Sequence, residues 1–582
     1  MTTGPTQPVP VLIAGAGPAG LTLSLLLARF GVPTMLVERR RAPSVLPRAT
    51  GVNVRSMEIY RSLGLQAAIE AVSMPTDVPF MLVGQTLATP PREAIESNQW
   101  ARSTDPSWPS PSHASWCAQD QLEAVLLGAV NDVPHAQLRF GAELVSCETT
   151  DCVAAGVRDV GTGETTTVRA RYLVAADGAS SRVRERLGIA MRGQTGLSSE
   201  LTILFRAALE PLLGSRQFCM YRIDGERANG VLRPAGRADT WLFGTAGAPG
   251  TSEAELVATI RAATGDPRLR VEIIATGAWE ASATVAETFR VGSVLLVGDA
   301  AHQHTPGGGF GMNSAIQGVH NLAWKLAAVL HGYAGDALLD TYQAERRPLA
   351  EITTSLSVPM LRARGRTSGR TLGIVLGARY ERGALVGDRT APPPVSDPIA
   401  DYTPCARPGH RAPHMWLDGA RTTSTIDLFG HHFVLLTPAP ERWKAAGGAV
   451  IEPALGLHVR PLRGRDARQL YGVSPSGGVL VRPDGYVAAR WRTAPDAVPR
   501  ALQAALGAVL PPGAQPVSEA VGQPGLVAND APAVVRGDQQ LPDAGGTRAI
   551  QRPVLPGCGP PADTIRLNDT EEHTDGLNAR NQ

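Results

Sequence analysis

The stretch PVPVLIAGAGPAGLTLSLLLARFGVPTMLVER, from Pro8 to Arg39, determines how this chain folds. It opens with a short apolar run, Val9 to Ala14, which predicts a strand buried on both faces. Three glycines follow in the spacing Gly-x-Gly-x-x-Gly, and an apolar helical stretch comes behind them. A second predicted strand ends in Glu38, 18 residues after the last glycine, where an acidic group can bind ribose hydroxyls. These elements in this order indicate a dinucleotide site.

Each glycine of the motif has a mechanical role. Gly15 permits the tight turn, Gly17 lets the backbone approach a pyrophosphate, and Gly20 lets the helix pack on the strand. The N-terminus of the predicted helix, whose apolar stretch runs from Leu21 to Phe30, brings free N–H groups and the positive end of the helix dipole to the phosphates. The motif alone does not distinguish NAD(P) from FAD.

The whole chain sets the broad class. Its 582 residues predict two to four domains, and its net charge of +2 gives no indication of nucleic acid or of an acidic membrane surface as a partner. No run approaches the roughly 18 apolar residues that a membrane span needs. The six cysteines include no CxxC pair, so we expect neither a metal site nor a disulfide framework, and a reduced, cytoplasmic setting without a signal peptide.

Two later strands also run into short motifs. The predicted strand from Tyr172 ends in Asp177-Gly178, and the one from Ser293 ends in Gly298-Asp299, where the carboxylate can accept hydrogen bonds from polyol hydroxyls. A glycine loop at 306–313 follows, and a helix is predicted from about Asn313 to Leu330. Such a loop lets backbone N–H groups approach a flat ring, and the helix N-terminus favours the negative charge of a reduced flavin.

The three motifs together resemble the class A flavoprotein aromatic hydroxylases, the para-hydroxybenzoate hydroxylase type. The phrases NLAWKLAAVL at 321–330 and LDTYQAERRP at 339–348 are similar to the phenol and polyketide hydroxylase branch. The resemblance covers roughly residues 8–350 and, more weakly, 400–495. It implies non-covalent FAD, NAD(P)H as co-substrate, O2 as oxidant, and a flavin C4a-hydroperoxide that transfers one oxygen to an aromatic ring.

The resemblance also implies a set of cofactor residues. Those at the ADP half of FAD are Gly15, Gly17, Pro18, Ala19, Gly20, Glu38 and Arg39. Those along the rest of the cofactor are Arg48, Gln119, Asp177, Asp299, Gly309, Gly311, Met312 and Asn313, with Pro306, Gly307, Gly308 and Gly309 lining the flavin ring. From residue types alone, Arg48 is as well explained by surface charge. No metal site and no catalytic side chain are predicted, because the flavin carries the chemistry.

Two residues near the glycine loop depart from the family pattern, and three histidines lie close to it in sequence. The family usually has Asn-x-Gly-Ile-Gln-Asp before the second helix, whereas this chain has Ala315 and Gly318 at the glycine and aspartate positions, which puts the local network at the helix start in doubt. His302 belongs to the family phrase. We expect His304 and His320 to lie on the surface or behind the site rather than to act in catalysis.

Residues 189–290 change to alternating strands and predict an inserted sheet that can form a wall of the substrate cavity. Its candidate substrate contacts are Tyr221, Arg222, Trp241 and Phe243, although ordinary core packing explains any single aromatic better. An Arg, His or Tyr within 205–245 could polarise a substrate oxygen. Helices are predicted at 253–264 in this segment and, earlier, at 115–127, where the chain would enter through Gln119.

The predicted fold class is α/β, with a Rossmann-like FAD-binding domain, an inserted β-sheet substrate domain and a C-terminal thioredoxin-like α/β domain. The predicted segments are 1–75, 113–188 and 290–350 for FAD, 76–112 and 189–289 for substrate, 351–399 as a helical connector, 400–510 for the thioredoxin-like domain and 511–582 as a flexible tail.

The predicted function is hydroxylation of a phenolic or quinonoid aromatic polycycle, expected to be a polyketide intermediate of antibiotic biosynthesis, by a FAD-dependent monomer or homodimer that consumes NAD(P)H. One alternative is a Baeyer–Villiger or ring-rearranging oxygenase that uses the same chemistry. The other is a catalytically silent FAD-binding partner in a biosynthetic assembly. The substrate, the site of oxidation and the choice between NADH and NADPH stay open.

Overall fold

A computed structural model describes residues 8–96, 98, 102–149, 152–363, 371–447 and 456–512. Over these residues the chain forms three β-sheets with helices packed on them, which confirms the predicted α/β class. From residue 513 onwards the predicted flexible tail lies outside the described residues. None of the described helices is long and apolar enough to cross a bilayer.

The first sheet carries the opening glycine motif at its centre. Its five parallel strands are, in spatial order, Val294–Leu296, Thr165–Ala175, Val9–Ala14, Thr34–Glu38 and Ala136–Phe140. Antiparallel strands at Arg290–Val291, Ala142–Thr149 and Val153–Asp159 complete the sheet. The associated helices are Pro18–Arg29, Val54–Ser62, Gln66–Ala71, Gln119–Asn131, Arg182–Arg186 and Phe310–Leu330. Because the central strand has strand neighbours on both edges and helices over its faces, it needs the apolar side chains that the sequence shows.

The second sheet is antiparallel except for one parallel pair. Its strands are, in spatial order, His302–Gln303, Glu272–Ala286, Met191–Arg206, Thr240–Ala246, Asn229–Pro234, Met220–Asp224, Met81–Gly84 and Glu93–Ile95. Its helices are Glu210–Leu213 and Glu253–Thr264. The second of these has the predicted bounds because Ser252 and Glu255 form a capping box and Gly265 ends it in the left-handed conformation.

The third sheet has the thioredoxin-like topology that the resemblance implies. Its strands lie in the order Leu457–Pro461, Phe433–Thr437, Gly478–Val481 and Val487–Trp491. The first two strands are parallel and the remaining pairs are antiparallel. Helices Pro440–Gly447, Arg465–Tyr471 and Val498–Val509 accompany this sheet.

One predicted helix is wrong at its start. The helix expected from Ser115 begins only at Gln119. Ser115 and Trp116 instead form antiparallel bridges with Val52 and Met74, and these backbone pairings hold the segment extended. Two helices connect the second sheet to the third along the chain, Asp340–Arg362 and Leu372–Val375. Short 3-10 helices occur at Gly298–Ala300, Gly307–Gly309, Asp336–Leu339 and Thr425–Leu428.

A buried charge network joins the third sheet to the first. Glu345, on the connecting helix, accepts hydrogen bonds from both terminal nitrogens of Arg482 at 2.8 and 2.9 Å and from Lys325 at 2.9 Å. Arg482 also donates to Asp484 beside the same sheet. All these side chains are buried. Burial would raise the pKa of Glu345, but Arg482 and Lys325 hold it at about 2, so the carboxylate stays ionised.

Removing the central carboxylate of this network should destabilise the whole described fold. Glu345→Ala leaves Lys325 without its carboxylate and Arg482 with Asp484 alone, which costs about 3–5 kcal/mol in the free energy of unfolding. Glu351→Ala, on an exposed turn of the same helix, removes only a surface pair with Arg347 and should cost less than about 1 kcal/mol. Urea unfolding followed by circular dichroism measures both variants, and equal losses would contradict the role given to Glu345.

Candidate cofactor and active site

The three motifs, distant in sequence, meet at the carboxyl ends of the central strands. A Cβ added at Gly15 would overlap the carbonyl oxygen of Ala176, the residue that precedes the Asp-Gly motif. A Cβ added at Gly298 would lie 3.5 Å from the Cβ of Ala19 and 3.4 Å from the Cβ of Ala315, which are near the starts of two different helices. The turn, the Asp-Gly motif and the Gly-Asp motif therefore share one edge of the first sheet.

The first helix start is shaped as an open cradle. A Cβ at Gly20 would overlap the carbonyl oxygen of Gly15, so helix and strand approach as closely as backbones can. Gly17 has nothing within 4 Å of a Cβ position, and the helix that begins at Pro18 has no side-chain cap. Its first N–H groups and its dipole therefore face open space, which fits a pyrophosphate.

Glu38 supports the turn and stays charged. Its two carboxylate oxygens accept hydrogen bonds from the Ala16 N–H at 3.1 Å and from the Arg40 N–H and Nε at 3.0 and 2.9 Å. Burial would raise the pKa of Glu38, but these hydrogen bonds lower it below the ordinary value. A carboxylate offers about four acceptor sites, so room remains for a ribose hydroxyl. The Arg39 side chain is exposed beside it.

Arg48 and Gln119 are brought together near a residue that sequence reasoning missed. The Gln119 N–H donates to Ala49, the neighbour of Arg48, and its amide donates to Glu123 at 2.7 Å. Burial raises the pKa of Glu123, while Gln119 and nearby arginines including Arg48 oppose that rise. The signal for Glu123 was its place one helical turn after Gln119, on the same helix face.

Two aspartates present acceptors at the shared edge. Asp177 accepts a hydrogen bond from the Val183 N–H at 3.2 Å through one oxygen, while its other oxygen is buried without a partner among the described residues. An orphaned buried acceptor is costly and fits a ligand donor. Asp299 is exposed, but the surrounding protein desolvates it enough to raise its pKa, and Arg48 opposes the rise. These two acceptors and the open helix start fit FAD.

The glycine loop has a packing role besides its expected role at the ring. A Cβ at Gly307 would overlap the Ser357 carbonyl oxygen and the Leu361 nitrogen, so this glycine is required for contact with the helix Asp340–Arg362. Gly308 has a φ of +79°, in the left-handed region. Besides its predicted place at the flavin ring, Gly307 is needed for this close contact with the helix, which the sequence did not reveal.

Hydrogen bonds fasten the segment before this loop to the same helix. The Thr305 hydroxyl donates to the Ser357 carbonyl at 2.7 Å, and His304 contacts the Thr353 hydroxyl at 2.9 Å. His302 lies edge-on to His304, with ring centroids 5.1 Å apart. Burial lowers the pKa of His304 to about 4 and that of His302 well below its ordinary value. Both rings are therefore neutral supports behind the loop.

Asn313 connects the glycine loop to the turn after Arg48. Its amide nitrogen donates to the carbonyls of Gly51 and Gly309, and its oxygen accepts from the Asn53 N–H at 2.9 Å. The side chain predicted to contact cofactor is thus occupied by backbone groups and positions the loop. The helix begins at Phe310, and Gly311 and Met312 lie half-buried in its first turn.

The two departures from the family pattern leave the helix intact. A Cβ at Gly318 would lie 3.7 Å from the Tyr342 hydroxyl and 3.9 Å from Arg346 Nε, so a methyl group would fit there in ordinary contact. Arg346 donates instead to the Ser314 carbonyl and to the Tyr380 hydroxyl. His320 is buried one turn away, and burial lowers its pKa well below the ordinary value.

The predicted substrate aromatics lie in a core rather than along a cavity. Tyr221, Trp241 and Phe243 share one face of the second sheet and pack in a hydrophobic cluster with Leu256 and Ile260 of the helix Glu253–Thr264. The Tyr221 hydroxyl and the Trp241 nitrogen donate to main-chain carbonyls. Their assignment as substrate contacts is therefore corrected to core packing.

Arg222 points to the other face of the sheet but is already paired. It donates to Asp224 at 2.7 Å and to Asn229 at 2.6 Å. The substrate role predicted for it is thus less well supported than a structural one, because both donors are taken by neighbours on the same hairpin.

Comparison with known proteins decides the family. Residues 8–357 match the FAD binding domain family, and residues 405–512 match the aromatic-ring hydroxylase C-terminal family. The chain belongs to the FAD-binding aromatic-ring hydroxylases. A putative polyketide hydroxylase of Streptomyces halstedii is 38% identical over 530 residues, covering 83% of this chain and 93% of the relative. The tetracenomycin A2 monooxygenase-dioxygenase of Streptomyces glaucescens is 35% identical, covering 87% and 97%.

Solved structures agree with this assignment. The flavin-dependent monooxygenase PieE, in complex with FAD and substrate, is 34% identical with a TM-score of 0.79 and covers 87% of this hydroxylase and 100% of that chain. The ternary complex of aklavinone-11 hydroxylase with FAD and aklavinone is 30% identical with a TM-score of 0.78, at the same coverage. This hydroxylase is a FAD-dependent monooxygenase with NAD(P)H as co-substrate, as the sequence predicted.

Loss of the exposed carboxylate at the shared edge should weaken FAD binding. Asp299→Ala removes an acceptor for the ribityl hydroxyls, and hydrogen bonds to a charged group are worth about 10- to 100-fold in Kd. Asp340→Ala, an exposed aspartate paired with Arg290, should leave FAD affinity unchanged. Fluorescence titration of apoprotein with FAD measures both, and an unchanged Kd for Asp299→Ala would remove its assigned role.

Proposed function

We propose that this hydroxylase inserts one oxygen atom into a phenolic or quinonoid aromatic polycycle, a polyketide intermediate, at the expense of NAD(P)H and O2. One observation carries the proposal. Between Asp299 and the glycine loop, the chain forms the edge strand His302–Gln303 of the second sheet, paired with Thr284 and Val285. The glycine loop that we propose for the flavin ring therefore follows directly on a strand of that sheet.

The face of this sheet opposite the aromatic core carries a row of small residues. Thr202, Gly244 and Val231 pair in register across three adjacent strands, which spans about 10 Å. A Cβ added at Gly244 would have only the Val231 carbonyl oxygen within 4 Å, at 3.9 Å, so open space lies above the middle of the row. At one end, the Trp279 indole nitrogen donates to the Thr202 hydroxyl at 3.1 Å. Gly277 pairs with Thr202 and extends the row by one strand, and the Leu46 side chain covers the row at that glycine. A flat, narrow and open strip of this length suits a fused planar ring system.

The relatives favour the same substrate class. The names of the Streptomyces relatives are polyketide hydroxylase and tetracenomycin A2 monooxygenase-dioxygenase, and one solved relative holds aklavinone. Each name describes that relative, and together with the open strip they support a polycyclic substrate here. We also keep, as predictions from the sequence, a cytoplasmic location and a monomeric or homodimeric state.

Bound FAD would supply the redox chemistry, with NAD(P)H as reductant and O2 as the source of oxygen. The chain's own residues position the glycine loop and set the electrostatic environment around it. Asn313 and the Thr305 hydroxyl hold the glycine loop in place, and the neutral His302 and His304 put no charge behind it. A fastened loop over the ring end also helps to exclude water from the reacting groups.

The test begins with the cofactor and then turns to the substrate. Purified protein should be yellow and release FAD on denaturation, and fused quinones such as 1,8-dihydroxyanthraquinone should stimulate NADPH oxidation and gain one oxygen by mass spectrometry. A colourless protein that binds no added FAD would refute the proposal. Oxidation that no polycycle stimulates would favour the silent assembly partner, and a ring-opened product or a lactone would favour the Baeyer–Villiger alternative.

Filling the open strip should separate substrate use from cofactor binding. Gly244→Leu places a side chain in the space above the row and should abolish stimulation by polycycles, while FAD content stays normal. Ala246→Leu, at the exposed end of the same strand, is the matched control and should behave as the unaltered protein. Stimulated NADPH oxidation that survives in Gly244→Leu would place the substrate elsewhere.

A further inference from the structure

Arg233 lies on the same face of the second sheet as the strip of small residues. It pairs in register with Leu242, which in turn pairs with Leu204. Leu242 alternates along its strand with the core aromatics Trp241 and Phe243, so Arg233 faces away from that core. It stands one row from Gly244 and Val231.

The charge of Arg233 has no counterpart among the described residues. Its Nε is buried without a hydrogen-bond partner, and no ion pair to it occurs within the described part of the chain. Desolvation alone lowers the pKa of Arg233 to about 10, so it is still a cation at neutral pH. The residue as a whole is half-buried, and a partly desolvated charge is unfavourable unless something pairs with it.

Several buried arginines of the chain pair with carboxylates, and buried Arg346 donates to the Ser314 carbonyl and the Tyr380 hydroxyl instead. Arg222 donates to Asp224, Arg411 donates to Glu58, and Arg482 donates to Glu345. Each carboxylate lies on the protein itself. Arg233 is half-buried, and no described residue gives it a carboxylate or any other hydrogen-bond acceptor, which leaves its donors available to a ligand.

The segment that follows Arg233 is anchored against the FAD-binding sheet. A Cβ at Gly236 would lie 3.7 Å from the Cβ of Ala118, next to the helix that starts at Gln119. Arg237 pairs with Asp120 of that helix at 3.0 Å. The strand end that carries Arg233 is thereby held near the helix that starts at Gln119, beside the strip.

We propose that Arg233 binds an anionic oxygen of the aromatic substrate, an ionised phenol or the enolate of a 1,3-diketone, while the rings lie along the strip. The inference rests on the proposed function and specifies its substrate class. A guanidinium presents a planar fork of donors that suits adjacent oxygens on a flat ring. Selecting the ionised form also enriches the ring in electrons, which favours transfer of an electrophilic oxygen to it.

The experiment compares two probes on the same ring system, one with ionisable hydroxyls and one in which methyl groups block them. Alizarin (1,2-dihydroxyanthraquinone) is used at a pH at which it is ionised, and its dimethyl ether serves as the neutral probe. In the FAD-loaded protein, alizarin should bind more tightly than the ether. Arg233→Ala should weaken alizarin binding by about 10- to 100-fold and leave ether binding unchanged. Arg233→Lys should retain part of the preference, and Arg227→Ala, at an exposed arginine between two strands of the same sheet, all of it.

The ratio of the two dissociation constants is the readout, because a general loss of folding or of FAD changes both constants together. An unaltered protein without preference for alizarin, or an Arg233→Ala variant that keeps the full preference, overturns the inference while the proposed function stands. If anthraquinone-2-carboxylate shows the Arg233-dependent preference and alizarin does not, the anion is a carboxylate and the phenolate assignment is overturned. Unaltered, FAD-loaded protein that binds no polycycle contradicts the proposed function itself.

Discussion

Two backbone contacts without room for a side chain hold the cofactor site together. The helix start at Gly20 rests on the carbonyl of Gly15, and Gly15 in turn rests on the carbonyl of Ala176. These contacts set the first helix against the ends of two parallel strands, so its free N–H groups, Asp177 and Asp299 come to one edge. Any larger side chain at these glycines would push the helix away and separate the groups that fit the two halves of FAD.

The chain connects this edge of the first sheet to the second sheet, where we propose that the substrate binds. The segment after Asp299 becomes a strand of the second sheet, and the glycine loop behind it is fastened by Thr305 and Asn313. The helix that follows contains Lys325, which reaches the Glu345 and Arg482 network of the third sheet. The C-terminal domain therefore supports the flavin side of the molecule through buried charges, although it contributes no predicted cofactor residue.

Local signals predicted much of this. The order strand, glycine turn, helix, strand and Glu38 was sufficient for the first sheet, because each element depends mainly on its own residues. The helix Glu253–Thr264 was predictable from its caps. The face of a strand that meets the cavity was not predictable, since both faces of the second sheet are largely apolar. Tyr221 and Trp241 were therefore assigned to substrate, while Arg233 could be distinguished from Arg222 only by partners that tertiary structure supplies.

The central claim is that FAD bound at this edge delivers oxygen from O2 to a ring held on the second sheet. Turnover under oxygen-18 gas with NADPH and a polycycle that stimulates its oxidation tests this directly. The account predicts a product that carries one labelled oxygen atom, detected by mass spectrometry. A product whose new oxygen derives from water, with the label absent, would contradict it.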